Sequence, residues 1–158
     1  MNPRIEKLSE KKLIGYSVVM SMSDNKTGQL WGQFAPRIKE IPNRVSAEKI
    51  SMQVYPPLFY DQFNPNQIFE KWAVVEVESF EDIPDGIKSF LLREGWYAVF
   101  DYKGSSSDVS IFQYIFAEWL PDSDYELDDR PHFEVLGSKY KNNDPDSEEE
   151  IWIPIKEE

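Results

Sequence analysis

The chain has 158 residues, enough for a single core of ordinary size. Its net charge of −12 and its lack of cysteine exclude a basic nucleic-acid stripe, disulfides, thiolate catalysis and cysteine-ligated metals. Five Trp, eight Tyr and ten Phe exceed what a core of this size needs, so the rings either fill a leucine-poor interior or line a cleft.

The charged start, MNPRIEKLSEKK, is no secretory signal, and no stretch approaches the ~20 apolar residues of a membrane span. A cytoplasmic protein without membrane contact is expected. The first predicted strand is LIGYSVVMSM, residues 13–22, closed by the turn-forming Ser23, Asp24 and Asn25. A helix follows from about Thr27, with Leu30, Phe34, Ile38 and Ile41 on one face, and Pro36 predicts a kink or break near Trp31 to Ala35. Strands are predicted at 48–55, where Ile50, Met52 and Val54 alternate, and at 71–78. Between them, PPLFYDQFNPNQ must be a loop. Its Leu58, Phe59, Tyr60 and Phe63 are unusually apolar for one, so it is expected to fold back as a lid or plug.

The second half repeats this order: a strand from Gly95 to Tyr102, a cap from Ser105 to Ser107, and a helix with Val109, Phe112, Phe116 and Trp119 on one face, ended by Pro121. Strands at 132–140 and 150–155 flank an acidic loop. Shifting the halves by 80 residues lays Gly15 on Gly95, Val19 on Val99, Phe34 on Tyr114 and Trp72 on Trp152. Strand falls on strand and helix on helix. The expected architecture is α+β: two βαββ units, residues 1–80 and 81–158, joined by a hinge at Ser79–Arg93. Their strands form one curved antiparallel sheet with both helices on one side and a ligand groove at the seam.

Glu134 is the most informative charge, a carboxylate inside the strand HFEVL whose repeat counterpart is Val54. On an alternating strand it faces either solvent or the floor of an aromatic cleft, where it would attract a flat cation. His132 is the sole histidine, and no G-x-S-x-G elbow accompanies it. Asp122, Asp124, Glu126, Asp128 and Asp129 lack the glycine and closing glutamate of a calcium loop, so no metal and no cofactor is expected.

Further motifs carry a resemblance. They are Trp119-Leu120-Pro121 after the second helix, Tyr125-Glu126 in an acidic turn, Pro131 ahead of the strand glutamate Glu134, and Trp152-Ile153-Pro154 in the last strand. With IPDGIKSFLLREGWYAVFDYKG upstream, the chain resembles over nearly its whole length the gyrase-inhibitor-like (GyrI-like) effector-binding domain of AraC- and MerR-type multidrug regulators. The resemblance implies a tandem βαββ fold with a central groove and a strand glutamate that meets lipophilic cations. By position that glutamate is Glu134, with walls from Phe112, Leu136 and Trp152 in the second half and Trp31, Phe34 and Tyr55 in the first. The chain departs from the family in two respects. No residues remain for a helix-turn-helix, so it is not expected to bind an operator by itself, and Asp101-Tyr102-Lys103 stands where relatives often place a histidine before the glycine.

Three functions follow. The leading one is a stand-alone protein that binds amphipathic, cationic aromatic compounds. A hydrolase of electrophilic natural products would use Glu134 with a hydroxyl such as Tyr55, Tyr114 or Tyr16. A protein-binding inhibitor, of gyrase for example, would set its acidic surface against a basic partner.

Overall fold

The computed structural model describes residues 2–106 and 108–157, and the chain folds as one α+β unit around a curved, nine-stranded antiparallel sheet. The strands are β1 (Arg4–Leu8), β2 (Lys11–Met20), β3 (Lys49–Val54), β4 (Phe69–Val77), β5 (Lys88–Leu92), β6 (Gly95–Lys103), β7 (Tyr125–Leu127), β8 (His132–Leu136) and β9 (Glu148–Glu157). Their spatial order is β1-β6-β9-β8-β3-β4-β2-β5, with β7 paired to β9. This order reads alike from either end about the β8–β3 pair.

The outermost strands cross between the halves. β1 pairs with β6, and β5 pairs with β2, so each half lends its first strand to the other. The sequence did not suggest β1, and it placed β5 inside a hinge. Both strands are five residues long and carry charges, and each buries a single residue fully, Leu8 or Leu92. Too little of the strand alternation survives in so short an edge.

Helix α1 (Thr27–Phe34) begins where expected and passes directly into a 3-10 segment, Ala35–Glu40, whose second residue is Pro36. Proline lacks the N–H that would continue the α-helical ladder, and the tighter coil carries the chain on. The expected face is the observed one: Leu30, Phe34, Ile38 and Ile41 are all buried, packing on Ile14, Ala73, Val75 and Val77 of β2 and β4.

Helix α2 (Ser110–Tyr114) continues through a π-helical turn (Ile115–Trp119) into α3 (Leu120–Asp122), and Pro121 sits inside that last turn rather than ending the helix ahead of it. The wide turn rotates the face that was expected. Ile111 and Ile115 become the buried residues, with Phe112, Phe116 and Trp119 on their flank, while Val109 is exposed. The helix start is also served differently, because Asp108 Oδ1 accepts the Ser110 N–H at 2.9 Å, whereas the Ser106 hydroxyl reaches Asn142 and Asn143. Ser107 of the expected cap lies outside the described residues.

Both helices cover the same face of the sheet, α1 over β2 and β4, and α2 over β6 and β9. The opposite face curls on itself. There Leu8, Leu13, Ile50, Met52, Trp72, Val74, Leu92, Tyr97, Val99 and Phe133 form one core that draws on β1 to β6 and β8. No helix of the described residues is long and apolar enough to cross a membrane.

Candidate functional site

Strands β3 and β8 form the seam of the sheet and lie between the two helices. Register fixes which of their side chains share the helix-bearing face. Ser51 opposes Ala73 on one side and Glu134 on the other, and Glu134 opposes Ile151. Since Ala73 packs under α1 and Ile151 under α2, Ser51 and Glu134 face the gap between the helices. By the same alternation Gln53, His132 and Lys71 lie in the adjoining row, and Glu149 continues the face beyond Ile151.

Glu134 is half-buried, and Gln53 Nε2 donates to its Oε2 at 3.1 Å. Burial raises its pKa above the ordinary carboxylate value, against the opposing effects of Lys71 and the Gln53 hydrogen bond. Lys71, only 7% exposed, is held below its usual pKa by loss of solvent, while the charges of Glu134 and Glu149 partly offset that loss. Among the described residues its ammonium makes no hydrogen bond and no ion pair. Glu149 is pushed up to about 7 by burial and then by repulsion from Glu134, with Lys71 opposing.

One end of this strip is closed by rings. The β3–β4 loop folds back so that Phe59 is buried and Tyr60 lies over Phe116 of the second helix, with ring centroids 4.2 Å apart and planes 15° from parallel. Tyr55 stacks on Phe59 at 4.5 Å and meets His132 edge-on at 4.9 Å, and Tyr60 also covers His132 at 5.7 Å. The loop is a plug linking the two halves. Buried among these rings, His132 has its pKa lowered to about 3, first by loss of solvent and then by the charge of Arg130. Burial likewise raises Tyr60 to about 12, with Glu134 adding to the shift and Tyr55 opposing it.

A cavity of about 470 Å³ lies beyond Leu136, where β8 leaves β9, and a second of about 370 Å³ adjoins it around Gly137. Five carboxylates line the first, Glu48, Asp101, Glu148, Glu149 and Glu150, against Lys103 and Lys139. By register Asp101, Lys103, Val135, Glu148 and Glu150 belong to the face opposite the helices, with Tyr102 and Glu149 of the helix-bearing face at its edge; Glu134 does not line it. Leu136 and Tyr140 line the second cavity. Among the described residues, no group of three or more His, Asp and Glu side chains is arranged to hold a metal ion.

The residues singled out from the sequence fall in three places. Glu134, Leu136 and Tyr55 share the strip between the helices. Phe34 is fully buried beneath α1 with Trp31 beside it, at 6.0 Å between rings, and Phe112 packs with the apolar residues under α2. Trp152 is on the opposite face of the sheet, stacked on Phe133 at 5.2 Å and hydrogen-bonded to Glu150. It opposes Phe133 in the register, one residue from Glu134, and that single step turns its ring away. Sequence reasoning missed Lys71, Gln53 and Glu149. The one local signal was Lys71, a charge that breaks the buried run ahead of Ala73 and Val75 in β4.

Comparison with known proteins agrees with this geometry. The transcriptional regulator BrlR of Pseudomonas aeruginosa is 28% identical over 157 residues, which is 98% of this chain but 56% of the regulator, so the chain spans about half its length. The crystal structure of the EcmrR C-terminal domain superposes with a TM-score of 0.72 at 13% identity, covering 99% of this chain and 98% of that one. The structure of SAV2435 bound to tetraphenylphosphonium superposes with a TM-score of 0.67 at 15% identity, covering 99% and 94%. The family model for the GyrI-like small molecule binding domain matches residues 1–156, and the chain belongs to that family.

Proposed function

We propose that the chain binds amphipathic aromatic cations in the strip between its helices, with Glu134 at the floor and Leu136 and Tyr55 near it. The observation that carries this reading is a carboxylate held in a ring-lined, poorly solvated seam, its one hydrogen bond among the described residues coming from a neutral amide. There an organic cation loses little solvation and gains both Coulomb attraction and ring faces. SAV2435 binds tetraphenylphosphonium, a compound of this class, on the same fold. The two halves, residues 1–80 and 81–158, act as pseudo-repeats of one ligand-binding unit in the cytoplasm, consistent with the symmetric strand order.

The test is calorimetric titration with tetraphenylphosphonium. Removing one partner of a buried charge pair costs about 2 kcal/mol or more, so Glu134→Gln is expected to weaken binding at least ~30-fold with the fold intact. Equal affinity in both proteins would remove Glu134 from the site, and heat-free titration of the wild type would remove the cation.

A further inference from the structure

A ring already stands where an aromatic ligand would put one. Phe116 of the second helix and His132 at the start of β8 lie side by side, with centroids 6.0 Å apart. Tyr60 covers both, 15° from parallel to Phe116 at 4.2 Å and 25° from parallel to His132 at 5.7 Å. The charge of Glu134 bears on the Tyr60 hydroxyl, adding to the rise that burial gives its pKa. An aryl cation bound over Glu134 would make the same kind of contact, ring on ring beside the carboxylate. Neither of the two cavities is lined by Glu134, Tyr60 or His132.

The loop keeps Tyr60 in this place at a cost and with few ties. Leu58, two residues earlier, takes φ 63° and is 75% exposed, so its backbone is strained and its side chain gains no burial in return. Backbone hydrogen bonds at the tip close within the loop, from Phe59 N–H to Pro56 O at 3.2 Å and from Asp61 N–H to Leu58 O at 3.1 Å. The tie to the turn after β2 comes at the far end, where Ser23 N–H meets Pro65 O at 3.0 Å. What joins the tip to the second half is the contact of Tyr60 with Phe116 and His132, and a ligand's ring can replace that contact like for like.

We infer that Phe116 and His132 form an aryl seat of the binding site and that Tyr60 is its resident occupant, which the ring of an incoming aryl cation displaces. The inference rests on the cation-binding reading above. The ligand class follows from the exchange. A cation must carry a flat ring to recover the stack that Tyr60 gives up, while its charge is met by Glu134. Tyr60 is then a competitor of the ligand and not a wall of its site, so shortening an aromatic residue in an aromatic site should strengthen binding.

A double-mutant cycle tests this by calorimetric titration with tetraphenylphosphonium at pH 8, with circular dichroism confirming the fold of each variant. Tyr60→Ala should bind at least 5-fold more tightly than wild type, whereas Tyr60→Phe, which keeps the ring, should stay within about 3-fold. Phe116→Ala should change little on its own, because ligand and occupant both lose the same stack, yet should weaken binding at least 5-fold in the Tyr60→Ala background. A measurement on the wild type needs no variant to fold: nuclear Overhauser contacts between the Tyr60 and Phe116 rings should vanish at saturation and be replaced by contacts between the ligand's phenyl protons and Phe116. Equal or weaker binding by Tyr60→Ala, or Tyr60–Phe116 contacts that persist at saturation, overturns the inference and leaves the cation-binding reading standing. A wild type that binds no tetraphenylphosphonium overturns both.

Discussion

His132 should make the fold acid-sensitive in a way that can be measured at one residue. Its imidazole is 5% exposed, boxed by Tyr55, Tyr60 and Phe116, with Arg130 adding positive charge nearby. Burial and that charge lower its pKa from 6.5 to about 3, so the native state holds the ring neutral. A group whose folded pKa is depressed contributes stability above its unfolded pKa, and that stability is lost as pH falls toward the folded value. At ~1.4 kcal/mol per unit the drop corresponds to at most about 5 kcal/mol between pH 6.5 and 3. Glu134 and Glu149 act in the opposite sense. Their raised pKa values mean that acid removes a burden from the native state, most of it for Glu149 between about 7 and 4.5. Wild-type stability alone therefore mixes both effects, and the difference from His132→Phe isolates the histidine. Urea unfolding from pH 8 to pH 4 should show the wild type losing about 2–3 kcal/mol relative to His132→Phe, with the separation opening below pH 6.5. Parallel curves for the two proteins would mean that protonation of His132 costs nothing, and that the ring is not enclosed as the geometry requires.

The plug and the sheet give two further expectations. Tyr60→Ala removes the stack on Phe116 and the cover over His132, and each aromatic pair is worth about 0.5–1.5 kcal/mol beyond its burial. Stability should fall by about 2–4 kcal/mol, and the His132 ring signals in an NMR titration should move toward an ordinary midpoint near 6.5; an unmoved midpoint would show that the loop does not control its hydration. Gly15→Ala would drive a Cβ into the Ala73 carbonyl oxygen and the backbone of Val74 on the paired strand, which cannot yield without breaking the β2–β4 ladder. It should cost about 3 kcal/mol or more in chemical denaturation, whereas a wild-type midpoint would contradict that close approach.

Much of the framework was legible because its central elements obey simple periods. Leu30, Phe34, Ile38 and Ile41 marked the face of α1, and the alternation of Ile50, Met52 and Val54 marked β3. The order of strands and helices then placed a seam, and the carboxylate in HFEVL pointed to it. The rest depended on pairing over long distances. Nothing within RIEKL or KSFLL indicates that each strand crosses to the other half. Alternation along β8 separated Glu134 from Phe133 but could not say which of the two faced the helices, and Trp152, put in the wall by the resemblance, stands by its register opposite Phe133 on the other face. Lys71 and Glu149 stand far apart in the chain, and only the sheet's folding brings their charges to act on one another.

The placement of polar residues follows from which strands the helices leave uncovered. Beneath α1 the sheet presents Ile14, Ala73 and Val75, and beneath α2 it presents Ala98, Phe100, Ile151 and Ile153. Any charge in those positions would be buried without solvent or partner. The curled face is closed as well, because Phe133 stacks on Trp152 and Tyr97 meets both edge-on within a core that also takes in Leu8 and Leu92 from the crossed edge strands. What remains is the helix-side strip of β3 and β8, where the chain presents Ser51, Gln53, His132 and Glu134 in place of aliphatic side chains. Had this strip only to fold, apolar residues and a tighter approach of the two helices would serve it better. Its polar residues cost stability, the His132 imidazole most visibly, and their concentration between the helices is what the binding proposed above would require of this strip.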